Sequence, residues 1–542
     1  MDVGIIVLAV LATLGRVILL IGISIILGWG LAYAAVKSRK FENIYIPLVN
    51  VLESIPVLAF FPLVLVAFIY GLGGGTGTEI AADFLVFDAV AWNIWIGAYQ
   101  AFKTVPSDLL EVARNYRFGF WKIMRMLYIP HSVPRITSNL FSSFSDAMFY
   151  IMVSEVFAVG LTSYHTFGIG TLLTSYLAAG NNQAIFYSLA ILGIAVAIMT
   201  LIFHKLSIWA IAKFGTNTEI GIKRHRWAGQ RWLQREWRMR VRGYWGAVHA
   251  RRNARASVAA KQTAAEPPQQ SKSGGIAVKL IALAAAIAVL YIAYSALKIA
   301  NDVSPEQWSN YISQTPTLLL FMGADYVRVI VITLAALVFA VLVGYELVIH
   351  KKLSAVITPI MQVASAYPAP AYFPLLFIAT LPFISALLPT LYSEVYVFIL
   401  GFLSCFYYIF FDFWTGVQSI PSEFWEIMNN YRLGTWTRIK KIVLPGTLPY
   451  LVTGLSSTIN SAWGGIAIGE YWRNIYGTNT LQVSFGMMKY ISLNMANNNV
   501  GAAAWVSLIF AVVIIVYSLV FTRNFMDLAR KRYVIEEGVY AT

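Results

Sequence analysis

A shift of 315 residues lays one stretch of this chain over another. Residues 106–134 fall on 421–449, and ten of the 29 positions are identical: Pro106/Pro421, Ser107/Ser422, Glu111/Glu426, Asn115/Asn430, Tyr116/Tyr431, Arg117/Arg432, Gly119/Gly434, Trp121/Trp436, Pro130/Pro445 and Pro134/Pro449. The same shift pairs Glu155 with Glu470. A shift of 312 pairs Arg16-Val17 with Arg328-Val329, and Pro56, Ala59, Phe61, Pro62 and Leu63 with Pro368, Ala371, Phe373, Pro374 and Leu375. Apolar segments match by chance when Leu, Val and Ala dominate. These matches fall instead on Glu, Asn, Arg, Gly, Trp and Pro, so the chain is a duplication.

The duplicated unit belongs in a bilayer. Only 12% of the 542 residues are charged and 58% are hydrophobic, against about 25% charged in a soluble domain. A spanning helix needs about 20 mostly apolar residues. That rule predicts helices at 5–36, 55–71, 83–102, 136–160 and 183–210, then at 276–299, 316–348, 366–383, 390–414, 450–472 and 500–522. The expected fold is an all-α polytopic membrane protein with about 11 spans, on the helix-length rule above.

Lys and Arg fix the orientation. Lys37, Arg39 and Lys40 follow the first helix, and six Lys or Arg lie between the third and fourth, from Lys103 to Arg135. Lys351 and Lys352 follow the seventh, and Arg432, Arg438, Lys440 and Lys441 precede the tenth. The alternate connections are nearly free of positive charge. All basic loops are cytoplasmic together if the N-terminus is outside, which leaves the C-terminus inside. The first helix runs into further membrane sequence and reads as retained rather than as a cleaved leader. Each copy carries its basic loop on the same side. The repeats are therefore parallel, related by a pseudo-two-fold axis along the membrane normal, and such repeats bracket a central pathway in many transporters.

The repeated loop has its own logic. Residues 107–117 are polar and helix-competent, with Ser107 placed to cap the start. Gly119 permits a sharp change of direction, a second short helix follows, and Pro130 ends it. A short helix held out on the cytoplasmic side suits docking into a partner's groove.

Glu, seven residues, Gly, ten residues, Pro is the pattern carried by Glu111, Gly119 and Pro130 and again by Glu426, Gly434 and Pro445. It resembles the EAA loop of binding-protein-dependent ABC importers, although the two Ala positions are Val112-Ala113 and Ile427-Met428. The resemblance implies a coupling helix seated in an ATP-hydrolysing subunit. Asn115, Tyr116, Arg117 and their copies Asn430, Tyr431 and Arg432 belong to the same loops. SIPVLAFFPL at 54–63, its copy AYPAPAYFPL at 366–375, Glu155, Glu470 and the GIG at 168–170 resemble the nitrate, sulfonate, taurine and bicarbonate permeases. A duplicated single-chain anion permease is known in that group. The implied partners are two cytoplasmic ATPase subunits, which would bind ATP and Mg, and an extracytoplasmic substrate-binding protein. The implied setting is the inner membrane of a prokaryote.

No Gly-x-x-x-x-Gly-Lys-Ser/Thr loop occurs, so the chain is expected to hold no nucleotide and to be no enzyme itself. Cys405 is the one cysteine and no His pair has ligand spacing, so neither a disulfide nor a metal is expected. Residues 223–255 hold eleven Lys or Arg and a single acid, Glu236. Leu233, Trp237, Val241 and Tyr244 share one helical face and Arg231, Arg235, Arg238 and Arg242 the opposite one. That is an amphipathic helix for an anionic lipid surface. Direct tethering to a membrane helix argues against nucleic acid, and contact with an ATPase remains open. The organisation expected is a first repeat at 1–215, this segment and a flexible tether at 216–275, an extra span with an external segment at 276–315, and a second repeat at 316–542.

Ionisable groups inside spans face a cavity or each other. Arg16 and Arg328 sit about 18 Å from the outer end of their helices, and Glu155 and Glu470 lie nearer the outer face. Either the arginines line the pathway and attract an anion, or Arg16–Glu155 and Arg328–Glu470 are ion pairs holding each half together. Asp146, facing Ser461 in the duplication, is an asymmetric candidate. The expected function is the permease of an importer for a small anion. The alternatives are a fused iron(III) or thiamine permease and, from another class, a carrier driven by an ion gradient.

Overall fold

The computed structural model describes residues 3–214 apart from 54–57, 59–63, 65, 70, 71, 160 and 161, then 294, 297 and 298, and 301–517. The Arg-rich segment at 223–255, the tether, most of the expected spans at 55–71 and 276–299, and the C-terminal tail lie outside the described residues.

The first half runs through α1 (Val3–Lys37), α2 (Arg39–Glu53), α3 (Gly74–Lys103) and α4 (Ser107–Asn115). It continues through α5 (Phe120–Ile123), a π turn (Met124–Tyr128), α6 (Ile129–Ser154), the hairpin β1 (Val156–Val159) and β2 (Thr162–His165), α7 (Ile169–Ala178) and α8 (Asn182–Phe214). The second half opens with α9 (Pro305–Ser313), whose start is closed by a capping box between Ser304 and Gln307. It then follows the same plan: α10 (Thr315–Ile349), α11 (Lys351–Ala366), α12 (Ala369–Leu387), α13 (Tyr392–Gln418), α14 (Ser422–Asn430), α15 (Thr435–Arg438), a π turn (Ile439–Val443) and α16 (Leu444–Gly469). The hairpin β3 (Tyr471–Tyr476) and β4 (Asn479–Gln482), α17 (Met487–Ala496) and α18 (Val500–Tyr517) complete it.

Eight helices among the described residues are long and apolar enough to cross a membrane. The expected count of 11 is thus not reached among them. The expected span at 136–160 falls on α6, which is long enough at 26 residues but rich in Ser and is not among the eight. The all-α class holds, and two of the expected spans, 136–160 and 450–472, run past the ends of their helices. At Val156 and at Tyr471 the chain leaves the helix for a two-stranded hairpin, in both halves directly after the buried glutamate.

α1 shows why these helices are apolar all round. Ile6, Val10, Leu14, Val17 and Ile21 recur every three or four residues and are buried, while Leu8, Leu11, Leu19 and Ile26 on the other face are exposed. A helix with one apolar face on protein and the other open belongs in lipid.

The halves interlock. Ala366 and Ala371 of the second half share a core with Ile185, Leu192 and Val196 of the first. Phe149 packs in one cluster with Phe373, Tyr396 and Leu400. The Tyr367 hydroxyl donates to the Leu189 carbonyl at 2.9 Å, and Tyr476 donates to Asn182 at 2.7 Å. The π turns and α4/α14 lie at one end of α6 and α16, and the hairpins lie at the other.

Candidate functional site

The repeated loops are built alike. A nine-residue helix is anchored by a buried side chain, Ala113 in the first copy and Met428 in the second. The chain then reverses at Arg117 (φ 51°) and Arg432 (φ 48°). The Phe118 N–H donates to the Ala113 carbonyl at 2.9 Å, and Leu433 to Met428 at 3.1 Å, closing the helix end with a Schellman-type bond. The left-handed residue is therefore an arginine, at a cost of ~1–2 kcal/mol relative to an ordinary conformation. Gly119 and Gly434, expected to make this turn, are extended (φ −70° and −66°) and cap the next helix.

Two further expectations are corrected. Ser107 is the first residue of α4, not its cap, and its hydroxyl donates to Asp108 at 3.3 Å. Pro130 ends nothing: the chain stays helical from Phe120 to Ser154. A proline cannot bond the carbonyl four residues back and clashes with it. The preceding π turn widens the helix where that conflict falls, and the copy repeats the device before Pro445.

These loops present a matched set of exposed groups. Glu111, Asn115, Tyr116, Arg117 and Trp121 are exposed, as are Glu426, Asn430, Tyr431, Arg432 and Trp436. Tyr116 and Trp121 show 73% and 70% of their surface, and Tyr431 and Trp436 show 77% and 72%. Large aromatic side chains held out on short helices in two equivalent places are what a docking surface needs. Nearby, Lys103 and Tyr99 donate to Glu42 at 2.6 and 2.5 Å. The Lys103 bond first, then that of Tyr99, hold its carboxyl below the ordinary glutamate range.

At the opposite end each half encloses an arginine in acids. Arg16 lies 2.5 Å from Glu79, 3.1 Å from Asp83 and 3.7 Å from Glu155. Arg328 lies 2.6 Å from Asp325, 2.6 Å from Glu394 and 2.9 Å from Glu470. Glu155 and Glu470 are fully buried. Glu155 accepts from the Thr13 hydroxyl and the Gly170 N–H, both at 2.6 Å, and Glu470 accepts from the Lys489 N–H at 2.9 Å. Thr13 and Asp325 are equivalent under the shift of 312. They hold equivalent N–H groups: Ile169 donates to Thr13 at 3.0 Å and Met487 to Asp325 at 2.9 Å. Each glutamate thus ties the start of a short helix, α7 or α17, to the arginine cage.

Between the halves lies a cavity of about 70 Å³. Glu53, Asp88, Trp92 and Asn93 line it from α2 and α3, and Asp146 and Tyr150 from α6. Tyr408, Ser457, Asn460 and Ser461 close it from the second half. Asp146 accepts from the Tyr408 hydroxyl and from Asn93 Nδ2 at 3.3 Å. Neither Arg16 nor Arg328 is on this lining.

Sequence reading missed Glu79, Asp83, Asp325 and Glu394 as members of the cages. A signal was present: the shift of 315 that pairs Glu155 with Glu470 also pairs Glu79 with Glu394. Glu53 and Asp88 have acidic counterparts under neither shift, so the duplication could not mark them.

The family described as the binding-protein-dependent transport system inner membrane component matches residues 24–210 and again 336–532. The nitrate import permease protein NrtB of Leptolyngbya laminosa is 24% identical over 148 residues, 27% of this chain and 48% of that protein. The bicarbonate transport system permease protein CmpB of Synechocystis sp. is 25% identical over 151 residues, 28% of this chain and 51% of its own. The glycine betaine/proline betaine transport system permease protein ProW of Escherichia coli is 23% identical over 198 residues, 36% of this chain and 51% of its own. The chain spans about half the length of the curated relatives it matches.

Proposed function

The chain belongs to the family of binding-protein-dependent transport system inner membrane components, matched once in each half, and on that premise we propose that it is the whole membrane pathway of an ATP-driven importer, folded as a pseudo-dimer. The matched exposure of Tyr116, Trp121, Tyr431 and Trp436 on two loops at one end of the bundle carries the reading. Two loops of one build imply two copies of one partner, and an ATPase on each is the partner the family supplies. ATP-driven closure of those subunits pulls on α4 and α14. The rigid continuity of α5, the π turn and α6 carries the pull into the bundle.

In this reading the loops face the cytoplasm, with the N-terminus outside and the C-terminus inside an inner membrane. The hairpins and α7/α17 face the compartment where a substrate-binding protein delivers its cargo. ATP and Mg sit in the ATPases, and residues 223–255 lie on lipid. The arginine cages are structural: each positive charge is spent on three neighbouring carboxylates. The likeness to nitrate and bicarbonate permeases favours a small anion as cargo, and the likeness to a betaine permease favours a quaternary ammonium solute.

Purification of the intact chain from native membranes in mild detergent, with mass spectrometry of what accompanies it, tests the class. An ATPase that co-purifies, and is lost when Glu111 and Glu426 are both replaced by Lys, supports it. The chain arriving without an ATPase moves a gradient-driven carrier to first place.

A further inference from the structure

The cavity between the halves carries the wrong sign for an anion. Its described lining includes Glu53, Asp88 and Asp146 and no Lys, Arg or His. The sequence from 41 to 102, including the stretch outside the described residues, contains no Lys or Arg at all. The cages hold Arg16 and Arg328 elsewhere and neutralise them there. In a membrane interior, where water screens little, a bare anion beside carboxylates is strongly repelled.

We propose that this cavity is the translocation site and that it selects a small solute bearing an ammonium group, whether a simple cation or a zwitterion. The proposal rests on the importer reading and names the class of its cargo. Glu53 lies deep in the protein yet keeps accessible surface, and the cavity is what it opens onto. Among the described residues its carboxylate has no hydrogen-bond or ion-pair partner, and the Tyr150 hydroxyl has none either. These two groups are left for a ligand. Trp92, Tyr150 and Tyr408 bring three aromatic side chains to the lining, and aromatic faces hold ammonium groups by cation–π attraction. Ser457 and Asn460 add neutral groups on the second half's side, suited to the carboxylate end of a zwitterion. A metal ion does not fit: among the described residues no three His, Cys, Asp or Glu converge as ligands. At ~10–15 Å³ per water, the cavity takes several waters or one small headgroup.

The test is uptake in the native host with the chain deleted and then restored, using labelled choline, glycine betaine, nitrate and bicarbonate. Deletion is expected to abolish choline or glycine betaine uptake. Restoration with Glu53→Gln is expected to recover at least about tenfold less of it at normal membrane abundance, with Glu53→Asp recovering more. Should Glu53→Gln lower abundance, Asp88→Asn is read in its place. Loss of nitrate or bicarbonate uptake on deletion, unchanged uptake of both choline and glycine betaine, or full activity of the neutralised cavity overturns the proposal. Co-purification of the ATPase is scored separately, so that a failed cargo assignment and a failed importer reading leave different traces.

Discussion

Glu155 and Gly168 are so close that a methyl group on the glycine would stand 1.9 Å from Oε1 of the glutamate. The second half repeats the approach, with a methyl on Gly486 standing 2.2 Å from Oε2 of Glu470. Both contacts lie between a fully buried carboxylate and backbone, so neither side can yield cheaply.

Gly168→Ala and Gly486→Ala are therefore each expected to destabilise the folded protein by about 3–5 kcal/mol, the range for breaking a buried ionic group out of its pairing. Gly119→Ala and Gly434→Ala meet nothing within 4 Å and should change stability by less than about 0.5 kcal/mol. Thermal unfolding of the four variants in detergent compares them. Equal effects at all four glycines would count against the enclosed-glutamate account.

Arg328→Leu leaves Asp325, Glu394 and Glu470 facing one another without their cation. Membrane abundance is expected to collapse, with a loss of about 3–5 kcal/mol. Arg16→Leu should act in the same direction and less severely, because Glu79 and Asp83 are partly exposed and can rehydrate. Quantitative immunoblotting of membranes reads both. Normal abundance with abolished transport would restore the arginines as pathway groups.

Trp121→Ala combined with Trp436→Ala should leave abundance and thermal stability unchanged, since both rings are more than two-thirds exposed. Interface anchors of this type contribute about 2 kcal/mol or more each, so ATPase recovery on purification should fall at least about tenfold. Stability that falls along with recovery would mean that the rings pack on this chain rather than on a partner.

Arg117→Gly and Arg432→Gly relieve two left-handed arginines. Each should raise stability by about 1 kcal/mol, seen as a later unfolding transition. If ATPase recovery drops at the same time, the guanidinium groups themselves contact the partner.

Much of this was legible in the sequence, and the reasons differ by element. The loops at 106–134 and 421–449 could be read because identities at Glu, Asn, Gly and Trp stand out against an apolar background. The apolar spans could be read because lipid imposes a minimum length. The reversal at Arg117 could not, because glycine is the expected left-handed residue and Gly119 stands two positions away. Nor could the π turn before Pro130, since proline ordinarily marks an end and here a widened turn removes the conflict. The strands at 156–159, 162–165, 471–476 and 479–482 are too short and mixed in composition to signal themselves. The cavity is hardest of all to see in sequence. Glu53, Asp88 and Asp146 come from three helices, and no single-helix pattern brings them together.

Asn93 and Tyr408 are the same position in the two copies, 315 residues apart, and both grip Asp146. Its own counterpart is Ser461. A carboxylate that close to the symmetry axis would face its twin if two identical subunits assembled here. One polypeptide with two unequal copies is free of that constraint. Fusion of the halves thus permits what a homodimer forbids: an odd number of charges at the centre, and with it a chamber whose two walls recognise the two ends of an unsymmetrical molecule.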